Sequence, residues 1–136
     1  MNRVLAFILP LALLVGCGGS DISKSEFVKK ANKICADGNK KIEAAGKSLG
    51  DNPSEDDVKK AVTDKLVPAV QDQVDKIRDL GFPKADKAKL EKIFDDSQTA
   101  LDKIKDDPET ALNNADPFGS VNAKLKDYGL TACGAA

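Results

Sequence analysis

The chain contains no histidine and no tryptophan, and only one tyrosine and one methionine. The missing imidazole removes the side chain most used for acid–base work near neutral pH, and the commonest ligand of transition metals. Arginine is confined to Arg3 and Arg78, which disfavours planar, bidentate clamps on phosphate or carboxylate. Charge of either sign is not in excess: the formal net charge is −1. A surface so balanced lacks the basic field that nucleic acid binding requires, so no nucleic acid partner is expected. No segment alternates apolar and polar residues over a useful length, so no sheet is expected, and there is no internal repeat.

Long apolar runs are also scarce. The one at the start, Val4 to Val15, makes roughly 18 Å of helix at about 1.5 Å per residue, short of a hydrocarbon core of about 30 Å. Pro10 interrupts it. With the cationic Met1-Asn2-Arg3 ahead of it, this is the plan of a secretory leader rather than of a spanning helix. Leu14-Val15-Gly16-Cys17 resembles the lipobox of bacterial lipoproteins. That resemblance implies diacylglyceryl transfer to the Cys17 sulfur and cleavage between Gly16 and Cys17. Two or three acyl chains, at about 0.8 kcal/mol per buried CH₂, would hold such a protein stably. The expected organisation is a signal peptide over 1–16, a lipidated cysteine and tether over 17–22, and one helical domain over 23–136. The expected location is outside the cell, anchored by lipid to the outer face of the membrane.

If Cys17 carries lipid, two cysteines remain, Cys35 and Cys133. In an exported chain they most simply form an intramolecular disulfide. Two buried thiols or intermolecular pairing are the alternatives. No Cys-x-x-Cys motif and no imidazole are present to activate a thiolate, so a redox role is disfavoured.

The remaining sequence reads as helices. Ser23 stands three residues before Glu26 as in a capping box, with Ile22 and Phe27 placed as a hydrophobic staple. A stripe of Val28, Ala31, Cys35, Gly38, Ile42, Ala45 and Leu49, widened by Ile34, marks the inner face of a first helix that ends at Gly50. Ser54 and Asp57 open a second, with Val58, Ala61, Val62, Leu66, Val70, Val74, Ile77 and Leu80 facing inward. Pro68 within it predicts a kink with the stripe in phase on both sides. Asp86 is the expected cap of a third helix with a stripe of Leu90, Ile93, Phe94, Ser97, Leu101 and Ile104. Asp107-Pro108 opens a short turn of helix through Leu112. Asp116-Pro117 then starts a last helix bearing Phe118, Val121, Leu125 and Tyr128, stopped at Gly129-Leu130. Short connections predict antiparallel neighbours. The expected fold class is therefore all-α, an antiparallel up-down bundle of about four helices closed by one disulfide. Rise per residue puts the end of the last helix about halfway down the bundle, level with Cys35.

Few residues suggest chemistry. Asp56-Asp57, Asp95-Asp96 and Asp106-Asp107 lack a calcium-loop pattern and read as caps and solvated faces. Neither metal nor other cofactor is expected. Asp37 with Lys41, Glu55 with Lys59 and Asp56 with Lys60 are spaced for ion pairs along a helix. Gly38 on an inner seam costs about 1 kcal/mol against alanine. It points to close helix packing, or to room for the disulfide or a small apolar ligand. In an up-down bundle Lys24, Lys29 and Lys30, with Arg78, Lys84, Lys87 and Lys89, fall at the end nearest Cys17. Asp51, Glu55, Asp56, Asp57, Asp106, Asp107, Glu109 and Asp116 fall at the other. A membrane-facing basic end follows as an expectation, its lysines drawn to anionic headgroups.

Taken together, the lipobox, Ser23-Lys24-Ser25-Glu26-Phe27 leading to Ile34-Cys35, Ile77 to Pro83, and Asp116-Pro117-Phe118 through Tyr128 to Gly134 resemble a family of small actinobacterial lipoproteins whose function is not established. The resemblance supplies no catalytic residues. The expectation is a non-catalytic binding module of the cell envelope. Its partners would be membrane lipid through the covalent anchor, and an unknown envelope protein or polymer. The second reading is a carrier of a small apolar ligand within the bundle.

Overall fold

The computed structural model describes residues 21–109 and 116–135. Its helices are α1 (Lys24–Lys47), α2 (Glu55–Ala61), α3 (Val67–Asp79), α4 (Lys87–Asp106) and α5 (Gly119–Tyr128). A π-helical turn, Val62–Leu66, joins α2 to α3, and a 3₁₀ turn, Lys84–Asp86, leads into α4. No strand occurs among the described residues. The expected short helix through Leu112 is described only as far as Glu109, whose N–H donates to Asp107 Oδ1 at 3.1 Å, and Gly16 and Cys17 lie outside the described residues.

Because α2, the π turn and α3 are continuous, the bundle has four rods, and cross-rod pairs give their directions. Lys41 meets Asp72 while Ser48 meets Lys65, so numbers rise on α1 as they fall on its neighbour. Arg78 meets Asp95 and Gln71 meets Gln98, which orients α4 against α3 in the same way. Lys124 meets Asp96 and Tyr128 meets Asp86, and this sets α5 antiparallel to α4. The all-α up-down bundle is what the helical stripes predicted.

Local signals account for most boundaries. Ser23 Oγ accepts the Glu26 N–H at 3.2 Å. The Glu26 carboxylate, however, takes Lys30 at 2.7 Å, so the first capping box is only half made. Ser54 and Asp57 form the complete reciprocal box. At the end of α5, Gly129 adopts φ 108°. There the Leu130 N–H reaches the Leu125 carbonyl at 2.8 Å and the Gly129 N–H the Lys126 carbonyl at 2.9 Å, the two bonds of a Schellman stop.

Pro68 acts differently from the expected in-phase kink. It has no N–H to give to a carbonyl one turn back. The helix inserts one extra residue just before it, and the Val67 N–H bonds to the carbonyl of Val62, five residues earlier. The buried positions consequently step from Val62 to Val67 rather than to Leu66, then resume at Val74 and Ile77. A π turn thus resets the inner face of the rod.

The core has two parts. The lower one gathers Phe27, Ala31, Cys35, Val74, Ile77, Leu90, Phe94, Leu125 and Tyr128, with Ile22 and Phe82 packed against it. Phe27 holds Phe82 and Tyr128 edge-on at centroid distances of 5.7 and 6.2 Å. The upper part gathers Val62, Val67, Leu101 and Ile104. Every stripe residue expected on α4 is buried. On α1 burial stops at Gly38; Ile42 and Ala45, and Leu49 just beyond the helix end, are only half-buried. α1 packs chiefly on α3 and, near its upper end, on the π turn, while the tail crosses its lower half.

The last helix descends further than its rise per residue suggested. Tyr128 reaches the level of Phe27. Gly129 lies so near Val28 that a Cβ at Gly129 would stand 3.7 Å from the closer Val28 methyl. The chain then reverses and climbs to Cys133. Ring packing between Tyr128 and Phe27 draws α5 down, and the left-handed Gly129 makes the reversal possible.

Candidate functional site

The reversed tail, residues 129–134, is strapped across α1. Asn32 Nδ2 donates to the Gly129 carbonyl at 2.9 Å, and Asn32 Oδ1 accepts the Ala132 N–H at 2.9 Å. Asn39 Nδ2 donates to the Ala132 carbonyl at 2.8 Å. Cys133 is bonded to Cys35, with Cα atoms 4.9 Å apart and a sequence separation of 98. The expected disulfide is therefore present and pins the tail to the inner seam of α1. Asn32 and Asn39 lie seven apart on α1, two turns along one face. Nothing in their local spacing separates them from solvated asparagines, so their role was not legible before the chain was folded.

Behind the strap, where the two core parts meet, is a cavity of about 70 Å³. Cys35 and Cys133 form one wall; Val70, Val74, Phe94, Phe118, Val121 and Leu125 form most of the rest. Polar groups reach it from Asn39, Gln73, Ser97 and Asn122. Ser97 is turned back on its own helix, donating to the Ile93 carbonyl at 2.9 Å. Gln73 is only 8% exposed and lies flat over Gly38, where any Cβ would collide with its amide. Of the roles considered for Gly38, close packing of a helix is the one found, with α3 approaching through the Gln73 side chain. The space compares with roughly 150 Å³ for a cavity that accommodates benzene, so it holds a few water-sized groups rather than an acyl chain.

Tyr128 stands at the lower end, 4% exposed, donating its hydroxyl to Asp86 at 2.8 Å. Burial, with Asp86 accepting the proton, pushes that hydroxyl above its ordinary value of 10.0. Asp86 precedes α4 as expected but makes no side-chain cap bond. Its carboxylate is turned to Tyr128 instead. The ammoniums of Lys24 and Lys89 lie 4.5 and 5.7 Å from the centre of the Tyr128 ring.

The lysines expected at this end have several partners. Lys30 pairs with Glu26 and Lys87 with Glu91 along their helices. Lys84 crosses to Asp21 at 2.6 Å and Arg78 to Asp95 at 2.7 Å. Of Lys24, Lys29 and Lys30, only Lys30 is tied to a carboxylate among the described residues. Elsewhere Glu55 pairs with Lys59 at 3.4 Å as expected. Asp37 turns back to Lys33 at 2.8 Å, and Lys41 leaves it for Asp72 across the helix interface. Hydrogen bonds from Lys33 hold the Asp37 carboxyl below its ordinary value, and Lys124 and Lys92 do the same at Asp96.

Among the described residues no three of Cys, Asp and Glu stand together as a metal site, and no helix is long and apolar enough to cross a membrane. No family model, no curated protein and no solved structure matches the chain.

Proposed function

We propose that the protein is an exported lipoprotein, anchored through Cys17 to the outer face of the cell membrane, whose bundle is a non-catalytic interaction module for another envelope protein or polymer. The observation that carries the reading is the Cys35–Cys133 bond. Disulfides that close most of a small domain belong to chains that fold outside the reducing cytoplasm. Coupled to a leader resembling that of bacterial lipoproteins, the bond favours a body that works beyond the membrane and stays tied to it. The interaction reading is supported by what the polar groups do. Asn32 and Asn39 hold the strap, Asp86 holds Tyr128, and both domain cysteines are consumed in the bond. These groups stabilise a rigid surface rather than converge on a reacting atom.

Cavity volume ranks the carrier reading second. About 70 Å³ leaves no space for a lipid tail unless α5 and the strap move away from α1. The anchor is tested by replacing Cys17 with serine in a bacterium that processes lipoproteins. The native chain should incorporate a labelled acyl group and sediment with membranes; Cys17→Ser should lose the label and remain unprocessed. Equal processing and sedimentation of both chains would refute the reading. Crosslinking in intact cells, followed by identification of the captured protein or polymer, tests the interaction module.

A further inference from the structure

The two ends of the bundle differ in charge. Residues 21–30 and 84–92, which meet at the lower end, carry seven lysines and four acids. Residues 47–66 and 102–109, at the upper end, carry six lysines and nine acids. The molecule is therefore a charge dipole along the bundle axis, although its net charge is close to zero.

At the lower end the excess is concentrated on particular side chains. Lys24 and Lys89 hold their ammoniums over the Tyr128 ring rather than on a carboxylate, and both residues are exposed. Lys29 is exposed and makes no ion pair among the described residues. The chain also enters the bundle here. Asp21 is clamped to Lys84 at 2.6 Å, and the stretch from Cys17 to Asp21 spans at most about 14 Å. A lipid at Cys17 therefore keeps the Asp21–Lys84 end of the bundle within about one to two Debye lengths of the headgroups.

We infer that the face bearing Lys24, Lys29 and Lys89 docks on anionic phospholipid headgroups and holds the bundle upright, its acidic end pointing away from the membrane. The inference rests on the lipoprotein reading for its location and adds the surface and its partner. Each ammonium at an anionic surface strengthens binding by about fivefold at low salt, and the gain fades as salt rises.

The experiment separates this surface from the anchor by removing the lipid. All members of both core parts lie within residues 22–133, so a chain of residues 17–136 with Cys17→Ser retains the whole core. It is floated with phosphatidylcholine vesicles, and with the same vesicles containing phosphatidylglycerol. Binding should occur only to the phosphatidylglycerol vesicles and decline with salt. Lys24→Glu/Lys29→Glu/Lys89→Glu should weaken it by at least about tenfold. Lys40→Glu/Lys47→Glu/Lys103→Glu, an equal charge change away from this face, should retain binding within about twofold by the same rule of about one fivefold factor per contacting lysine. Circular dichroism confirms that each variant is folded. Absent binding, equal binding to both vesicles, or equal loss in the two triple variants would overturn the inference. Loss of acylation in the Cys17→Ser cell experiment bears on the anchor alone.

Discussion

Removing the Cys35–Cys133 bond is the most informative single perturbation, because its cost can be worked from the topology. The bond spans a sequence separation of 98. In the chain-entropy treatment a closed loop of about 100 residues removes about 4.7 kcal/mol of freedom from the unfolded chain. A domain of this size is stable by about 5–15 kcal/mol, so the loss is a large share of the total. Cys35→Ala/Cys133→Ala should therefore lower the unfolding free energy by about 4 kcal/mol. At about 4 °C per kcal/mol for a domain of roughly 100 residues or somewhat more, the melting temperature should fall by about 15 °C. Urea unfolding followed by circular dichroism measures both. The slope against urea should rise, since the unlinked denatured chain exposes more surface. The strap makes a second, separable contribution. Asn32 both donates to and accepts from the tail backbone, so Asn32→Ala in the disulfide-free chain should cost about 1–3 kcal/mol more and release residues 129–135 to proteolysis. If the double cysteine variant loses less than about 1 kcal/mol, the entropic account fails. The asparagines would then hold the tail by themselves.

Two other predictions concern packing and pH. Gly38→Ala should destabilise the native chain by about 1–2 kcal/mol, because the new methyl drives the Gln73 amide out of its place. In a Gln73→Ala background the same change should stabilise by up to about 1 kcal/mol through helix propensity, and an additive cycle would disprove the contact. Tyr128, the sole tyrosine, has its hydroxyl proton held more tightly folded than unfolded. Its contribution is fully present below the unfolded value of 10.0 and is lost as pH rises toward the higher folded one. Tyrosinate absorbance should therefore appear together with unfolding rather than before it. Tyr128→Phe should lose about 1–3 kcal/mol at neutral pH by leaving Asp86 without its donor, whereas a titration indistinguishable from free tyrosine would contradict the burial.

The legible and illegible features divide by the range of the interaction. The α4 stripe was read without error because six apolar or small residues recur on one face, and periodicity reports which face is inward. The Ser54 box and the Gly129 stop were legible because their partners lie three to five residues away. Pairing of Cys35 with Cys133 was expected only on condition that Cys17 is taken by lipid, and the bond in the folded chain selects it over free thiols or intermolecular pairing. Pro68 announced a disturbance, yet a kink and an inserted π residue answer the missing N–H equally well in sequence. Asp86 carried the signature of a cap, but Tyr128, 42 residues away, offered its carboxylate a buried donor. Lys24 shares an end of the bundle with Lys84 and Lys89, as up-down packing implies, while the groups these lysines meet depend on rotamers and on side chains such as Asp21 and Tyr128 that approach from another element.

The amino-acid order by itself determined an all-helical body, the inward face of most helices and most of the stops between them. Each of these is fixed by residues within one or two helical turns. Only the folded chain decided that α5 would run past Cys35 and return as a strap, that Asn32 and Asn39 would hold it, and that two lysine ammoniums would meet over the ring of a tyrosine. Those outcomes join groups roughly 40 to 100 residues apart. Periodicity tells a side chain which way to face; packing alone chooses what it meets there.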